Sequence, residues 1–285
     1  MASFSARLQQ KILEHGPLCV GIDPSAALLK SAGLPDSPQG AFEFGRRVLE
    51  AARFGISLLK PQSAFFERFG SAGLQALEEL VRLARGQGVL VLLDGKRGDI
   101  DSTAAAYAEG YFSATTSLRV DAVTTQPYMG LGALDSFLDI AFKAEGGVFV
   151  VVRSSNPEGE ALQTARLASG ESVAQSLCRE ITERNQQWSE DPGANAGSLP
   201  GPVGAVVGAT CNDADAMAAA MPRSFILAPG VGAQGATMRD VLRRMPAARG
   251  RVLPNVSRAI LANGGGKAEI AATLRELQTQ ARDLM

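Results

Sequence analysis

The stretch "VLVLLDGKRGDIDST", Val89 to Thr103, carries an apolar run straight into Asp94, Lys96, Arg97, Asp99 and Asp101. On a β-strand, residues two apart point the same way, so Asp94 and Lys96 share a face while Gly95 turns from it. Asp99 falls beyond the strand, in a loop or first helical turn, where an aspartate is a good cap. Two carboxylates bracketing one lysine keep its ammonium protonated. Held in place, that ammonium can stabilise a developing anion and then donate a proton. Lys60 ends another apolar run, where a buried charge needs a partner, and it could join Asp94, Lys96 and Asp99 in one alternating network. A purely structural ring of salt bridges would satisfy the same charges, and spacing alone leaves both readings open.

The elements that must position these side chains are short apolar runs bounded by Gly, Pro or polar residues. They read "LCVGIDP" (18–24), "ISLLKP" (56–61), "VLVLLDGK" (89–96), "AVTTQP" (122–127), "GVFVVVRSS" (147–155), "GAVVGAT" (204–210), "FILAPGVG" (225–232) and "RVLPNVSR" (251–258). Between them lie helical stretches: Ala41 to Arg53, Gly73 to Arg85, Gly132 to Ala144, Glu171 to Trp188, Asp213 to Ala220 and Met238 to Arg244. "RFGSAG" (68–73) and "ANGGGKAE" (262–269) read as turns. Strand and helix alternating through the chain predict an α/β fold, a closed (β/α)8 TIM barrel with parallel strands and right-handed crossovers. A doubly wound open sheet competes, but the turn after the first strand is "GIDPS" and lacks a GxGxxG fingerprint. In a barrel the C-terminal strand ends converge on one mouth. Asp23, Lys60, Asp94 with Lys96, Gln126, Ser154 or Ser155, Thr210, Gln234 and Arg258 all stand at such ends. The loops after strands 7 and 8 of such barrels often bind phosphate. Here they offer "APGVGAQG", with Pro229, Gly230 and Gln234, and then Arg258, whose planar fork suits a phosphate dianion.

Bulk properties narrow the function class. The 285 residues are 46% apolar with a net charge of −1, and no long basic block suggests a nucleic-acid or membrane surface. Wholly apolar runs such as Val148 to Val152 fall far short of the roughly 20 residues that cross a bilayer. The N-terminal "MASFSARLQQKILEHG" shows no signal-peptide core and reads as an amphipathic helix. Cys19, Cys178 and Cys211 form no CxxC pair, so neither a disulfide framework nor a zinc site is expected, and a cytoplasmic setting is the default. His15, the one histidine, precedes the first strand, which argues against a histidine base or a multi-histidine metal site. No repeat, linker or second core interrupts the chain, so residues 1–285 are expected to be one barrel domain. Its one irregular segment, "SEDPGANAGSLPGP" from Ser189 to Pro202, reads as an exposed surface loop.

The run Asp94-Gly-Lys96-Arg-Gly-Asp99-Ile100, followed by Thr103, resembles the DxKxxDI…T signature of the orotidine 5'-phosphate decarboxylase family. "KPQSAFFERFG" (60–70), "RSSNP" (153–157), "GAVVGAT" and "APGVGAQG" are similar to its bacterial type 2 subgroup, and the likeness runs along nearly the whole chain. The resemblance implies conversion of orotidine 5'-monophosphate to UMP and CO2, the last step of de novo pyrimidine synthesis, with no cofactor and no metal. It also implies roles. Asp23 would hold the ribose, with Lys60 beside it in the charge network. Asp94 would sit against the substrate carboxylate, and Lys96 would stabilise and protonate the C6 carbanion. Asp99, Ile100 and Thr103 would reach into a neighbouring subunit's site in a homodimer. Ser155, or its neighbour Ser154, would contact the pyrimidine, while Pro229, Gly230, Gln234 and Arg258 would bind the phosphate. Gly95 and Arg97 occupy variable positions of the signature.

Two rivals share parts of this pattern. Barrels acting on keto-sugar phosphates carry DxKxxD but use Mg2+ and an enediolate, and that class expects further carboxylates near the second strand end. Here Gln62 and Ser63 follow Lys60, and Glu67 lies seven residues past it. A non-catalytic barrel that binds a phosphorylated ligand would retain the charges as structure.

Overall fold

The computed structural model describes residues 2–190, 199–232 and 235–285. Its centre is a closed barrel of parallel strands: β1 (Cys19–Ile22), β2 (Leu58–Pro61), β3 (Leu90–Arg97), β4 (Ala122–Thr125), β5 (Gly147–Arg153), β6 (Val203–Val207), β7 (Ile226–Ala228) and β8 (Val252–Val256). Each pairs with the next in chain order, and β8 returns to β1 through Cys19 opposite Asn255. Every expected strand is present, shortened where its run had included the polar residues of the loop beyond.

Strand side chains alternate between two sides. One set, including Leu58, Leu90, Leu92, Phe149, Val206 and Leu253, fills the barrel. The other, including Val20, Leu59, Val91, Val123, Val150 and Val207, packs outward against the helices. Both sides of each strand are therefore buried, which is why these runs are continuously apolar rather than alternating.

The N-terminal helix Phe4–His15 starts at Ser3, whose hydroxyl accepts the amide of Ala6 at 3.3 Å. Its Phe4, Leu8 and Ile12, four residues apart and all buried, belong to the cluster inside the barrel. Phe4 meets Phe149 edge-on with ring centroids 6.1 Å apart. A Cβ at position 147 would fall 2.3 Å from the Phe4 ring, so glycine is needed there for the helix to seat. The N-terminal end of the barrel is thereby plugged with apolar groups. Lys60, Asp94, Thr124 and Arg153, buried and inward-facing, gather toward the opposite end.

The outer helices follow the expected order with local corrections. The segment expected as one helix over Gly132 to Ala144 is a 3-10 turn, Leu131–Leu134, running into the helix Asp135–Lys143. Arg68 to Gly73, read as a turn, is already helical from Gly70, in the helix Gly70–Gly86. Gly73 serves close packing: a Cβ there would lie 1.9 Å from the carbonyl oxygen of Phe66. The glycine run read as a turn at Ala262 to Glu269 gives way to a helix at Lys267, which continues to Arg282. A further helix, Asp101–Phe112, follows β3. Among the described residues no helix is long and apolar enough to cross a membrane. Cys19, Cys178 and Cys211 are buried free thiols. Of the irregular segment 189–202, residues 191–198 lie outside the described residues.

Candidate active site

Asp94 is the centre of the polar mouth. Its Oδ2 accepts from Lys60 Nζ at 2.8 Å and from Gln62 Nε2 at 3.0 Å. Its Oδ1 accepts from Thr124 Oγ1 at 2.9 Å and from Lys96 Nζ. One buried carboxylate thus holds two ammonium groups and two neutral donors. Burial alone would raise the Asp94 pKa, but the Lys60 and Lys96 ammoniums outweigh it and hold the carboxyl far below the usual carboxylate range. Burial would likewise lower Lys60, which is 3% exposed; Asp94, then Asp23, reverse that and raise it. Both groups stay charged at neutral pH, so the site presents fixed charges that need no reorganisation when a substrate reacts.

Lys96 reaches Asp94 by a route that strand alternation does not describe. Its φ is +45°, the left-handed region, which costs a residue bearing a Cβ about 1–2 kcal/mol. Opposite β4, Leu93 pairs with Val123 but Arg97 pairs with Thr125, so β3 bulges between them. The Lys96 amide donates to Thr124 Oγ1 at 3.0 Å in place of a ladder carbonyl. The expected meeting of Lys96 and Asp94 occurs, but a strained bulge produces it.

Asp99 does not join the network within one chain: among the described residues no ion pair links it to Lys60 or Lys96, and its Oδ1 accepts the amide of Ile100 at 2.9 Å. Ile100 and Thr103 are exposed on the same segment. Asp23 stands at the end of β1 with Oδ1 at 4.0 Å from Lys60 Nζ, and this buried oxygen has no hydrogen-bond partner. Gly21, two residues earlier, leaves room for Ser257 of the β8 loop: a Cβ there would lie 2.0 Å from Ser257 Oγ.

After β5 the two serines differ. Ser154 is fully engaged: its amide donates to Gln163 Oε1 at 3.0 Å, its hydroxyl accepts from Gln163 Nε2 at 2.8 Å, and its carbonyl accepts from Cys211 Sγ at 3.3 Å. Buried Arg153 anchors the same loop, donating to both carboxylate oxygens of Asp213 at 3.1 and 3.2 Å. Ser155 backs onto Gly208, where a Cβ would come within 2.8 Å of its own. Its hydroxyl has no hydrogen-bond partner among the described residues.

In the loop after β7, Gly230, Gly232 and Gly235 have φ of +104°, +79° and +87°. The Gly232 and Gly235 amides are spent within the turn, on Ala236 O at 2.7 Å and Gly232 O at 3.1 Å. Gly230 stands beside half-buried Pro229 at the end of β7. Arg258 opens the 3-10 turn after β8, exposed and with no carboxylate in ion-pair range among the described residues. A Cβ on Gly232 would lie 2.9 Å from that of Ala259, so these two loops touch. Gln234 lies outside the described residues. Gln126 is exposed, with its amide donating to Arg97 O at 2.8 Å, and Thr210 offers its carbonyl to Arg244 at 3.2 Å. Neither reaches Asp94.

Gln62 and Thr124 complete the Asp94 site without having been singled out as functional. Thr124 lies two residues before Gln126, so period-two counting along β4 would have found it. Gln62 follows the end of β2 and offers no comparable signal; it pairs with Asp94 through an isolated bridge between β2 and β3.

A closed parallel barrel whose C-terminal mouth concentrates a lysine–carboxylate network belongs to the class of (β/α)8 barrels with their active site at that mouth. Residues 16–273 match the Orotidine 5'-phosphate decarboxylase / HUMPS family, and the chain belongs to it. The orotidine 5'-phosphate decarboxylase of Salinispora arenicola is 47% identical over 283 residues, covering 99% of this chain and 98% of that one. That of Myxococcus xanthus is 41% identical over 280 residues, covering 98% and 95%. A crystal structure from Streptomyces avermitilis, solved as a candidate orotidine 5'-phosphate decarboxylase, superposes with a TM-score of 0.89 at 40% identity, covering 100% and 96%. The OMP decarboxylase of Leishmania donovani superposes at 0.74 with 31% identity, covering 98% of each chain.

Proposed function

We propose that this chain, as one catalytic barrel, decarboxylates orotidine 5'-monophosphate to UMP and CO2, closing de novo pyrimidine synthesis. The observation that carries the reading is Asp94, a buried carboxylate held by Lys60, Gln62, Lys96 and Thr124. In the reaction the bond between C6 and the carboxylate breaks, its electron pair stays on C6, and CO2 leaves. Lys96 stabilises that carbanion and gives it a proton, which solvent later restores. The anionic Asp94 faces the substrate carboxylate, a repulsion relieved as CO2 departs. Asp23, whose buried Oδ1 lacks a partner, takes a ribose hydroxyl, with Lys60 alongside. Ser155 meets the pyrimidine, because Ser154 is occupied by Gln163. Pro229, Gly230, Gln234 and Arg258 bind the phosphate, far from C6, where binding energy can hold the substrate against Asp94. "KPQSAFFERFG" and "PGVGAQG" carry the assignment to the type 2 subgroup.

The same proposal includes a homodimer in which Asp99, Ile100 and Thr103 complete the partner's site. Support comes from exposed apolar residues: Ile100 itself is 49% exposed, and in the loop after β4 Tyr128 is 82% exposed and Met129 51%. The family name also covers a second activity, but Glu67, the first carboxylate along the chain after the end of β2, is paired with Arg97. The test is loss of the orotate chromophore in EDTA with UMP identified as product. Turnover is expected, and Lys96→Ala should lower kcat by about 10²–10⁴-fold. A folded protein that leaves the substrate untouched, or that turns over a keto-sugar phosphate only with Mg2+, would overturn the reading.

A further inference from the structure

Arg97 occupies a variable position of the signature and Glu67 lies in a different strand–helix loop, yet the two meet beside Lys96. The Arg97 guanidinium pairs with Glu67 and donates through Nη1 to Gly95 O at 2.8 Å, the carbonyl of the peptide that leads into Lys96. Its carbon sits 5.9 Å from the Tyr107 ring centroid. The Arg97 carbonyl accepts the Gln126 amide at 2.8 Å, and a Cβ at Gly98 would strike Gln126 O at 2.3 Å. Both sides of Lys96 are therefore tied down. Such ties are required, since a left-handed residue with a Cβ persists only when its surroundings over-determine it.

We propose that Arg97 and Glu67 form a positioning pair that clamps the 95–96 peptide of the β3 bulge and so aims Lys96 Nζ at the reacting carbon. The pair rests on the decarboxylase reading but touches no substrate. Helix Ala64–Glu67 follows directly on Lys60, Gln62 and Ser63. One guanidinium thus locks the bulge carrying Lys96 to the segment that carries Lys60 and Gln62, two of the other donors to Asp94. A planar fork reaches a carbonyl and a carboxylate together, which a single ammonium does less well.

The test compares wild type with Arg97→Ala, Arg97→Lys and Glu67→Gln. Measured are kcat and KM for orotidine 5'-monophosphate, and Kd for UMP and for a UMP analogue with an anionic oxygen on C6. With a misaimed lysine, Arg97→Ala should lose about 10²-fold in kcat, with KM within about threefold of wild type. Affinity for the C6-anionic analogue should fall while UMP affinity holds, and the Lys and Gln variants should fall between. A folded Arg97→Ala with near-normal kcat overturns the inference. So does an equal loss of UMP and analogue binding, which would mark general disorder of the site. If Arg97→Ala does not fold, Glu67→Gln decides by the same criteria. Absence of wild-type turnover would remove the parent reading and this inference together, whereas wild-type turnover with unaffected variants removes the inference alone.

Discussion

At the residue scale the energetics centre on one carboxylate. Removing one partner of a buried ion pair strands the other charge, at a cost of about 3–5 kcal/mol, whereas removing both can be nearly neutral. Asp94→Ala leaves buried Lys60 with only Asp23, 4.0 Å away, as a charge partner, so its unfolding free energy should fall by up to about that amount in urea at neutral pH. A double variant, Lys60→Met with Asp94→Asn, should be more stable than Asp94→Ala although inactive. If the single variant melts like wild type, Lys60 has found another partner. The pH dependence follows from the directions of the two shifts. Asp94 is depressed below its ordinary 3.8, so its contribution is complete above that pH and drains away as pH falls below it. Lys60 is raised above 10.5, so its contribution is complete below that pH and is lost as pH rises beyond it. Stability from this pair should be flat across the neutral range. The acid loss below pH 3.8 should be smaller in Asp94→Asn, as read from urea curves at stepped pH.

At the element scale, the N-terminal helix separates stability from chemistry. Phe4 is buried against Phe149 in the apolar floor of the barrel, at the end away from Asp94. Phe4→Ala should cost about 3–5 kcal/mol of stability through the cavity it leaves, while kcat of the folded fraction stays near wild type. A matching loss of kcat would mean that the floor also sets the geometry of the mouth. How far each element is legible from sequence depends on its packing. The strands announce themselves because both faces are buried. The helix Pro38–Ala51 does so because Ala41, Phe44, Val48 and Leu49 repeat at helical spacing behind a Ser37 cap, which accepts the Gly40 amide at 3.1 Å. The helix Asp101–Phe112 is quieter: its buried face begins with Ala104 and Ala108, small residues that give little apolar contrast. Gly73 misleads because a glycine needed for close approach is written with the same letter as one needed for a turn.

At the scale of the whole molecule, the single chain contains Asp94, Lys60 and Lys96 in contact but leaves Asp99 outside the network. If Asp99 acts across a dimer, mixing inactive Asp94→Asn and Asp99→Asn subunits should restore activity, because mixed dimers regain sites with both carboxylates intact. Statistical exchange predicts recovery toward about a quarter of the wild-type rate per site, since half the dimers are mixed and each holds one intact site. No recovery despite demonstrated subunit exchange would place Asp99's role within its own chain.

The sequence alone determined the eight-stranded architecture, the mouth on which its polar strand ends converge, and the residue types of the charge network. Those are consequences of local periodicity and of the rule that buried charges need partners. Three matters were decided only in the tertiary structure. Lys96 meets Asp94 through a left-handed bulge, because β4 supplies Thr124 Oγ1 where a ladder carbonyl would stand. Ser154 and Ser155, adjacent and identical in type, differ because Gln163 arrives from the short helix Glu160–Gln163 and engages only Ser154. Arg97, unremarkable as a letter in a motif, gains its place from Glu67, thirty positions earlier in the chain. Each depends on which distant groups closure of the barrel brings within hydrogen-bond range, and short-range sequence patterns carry no record of that.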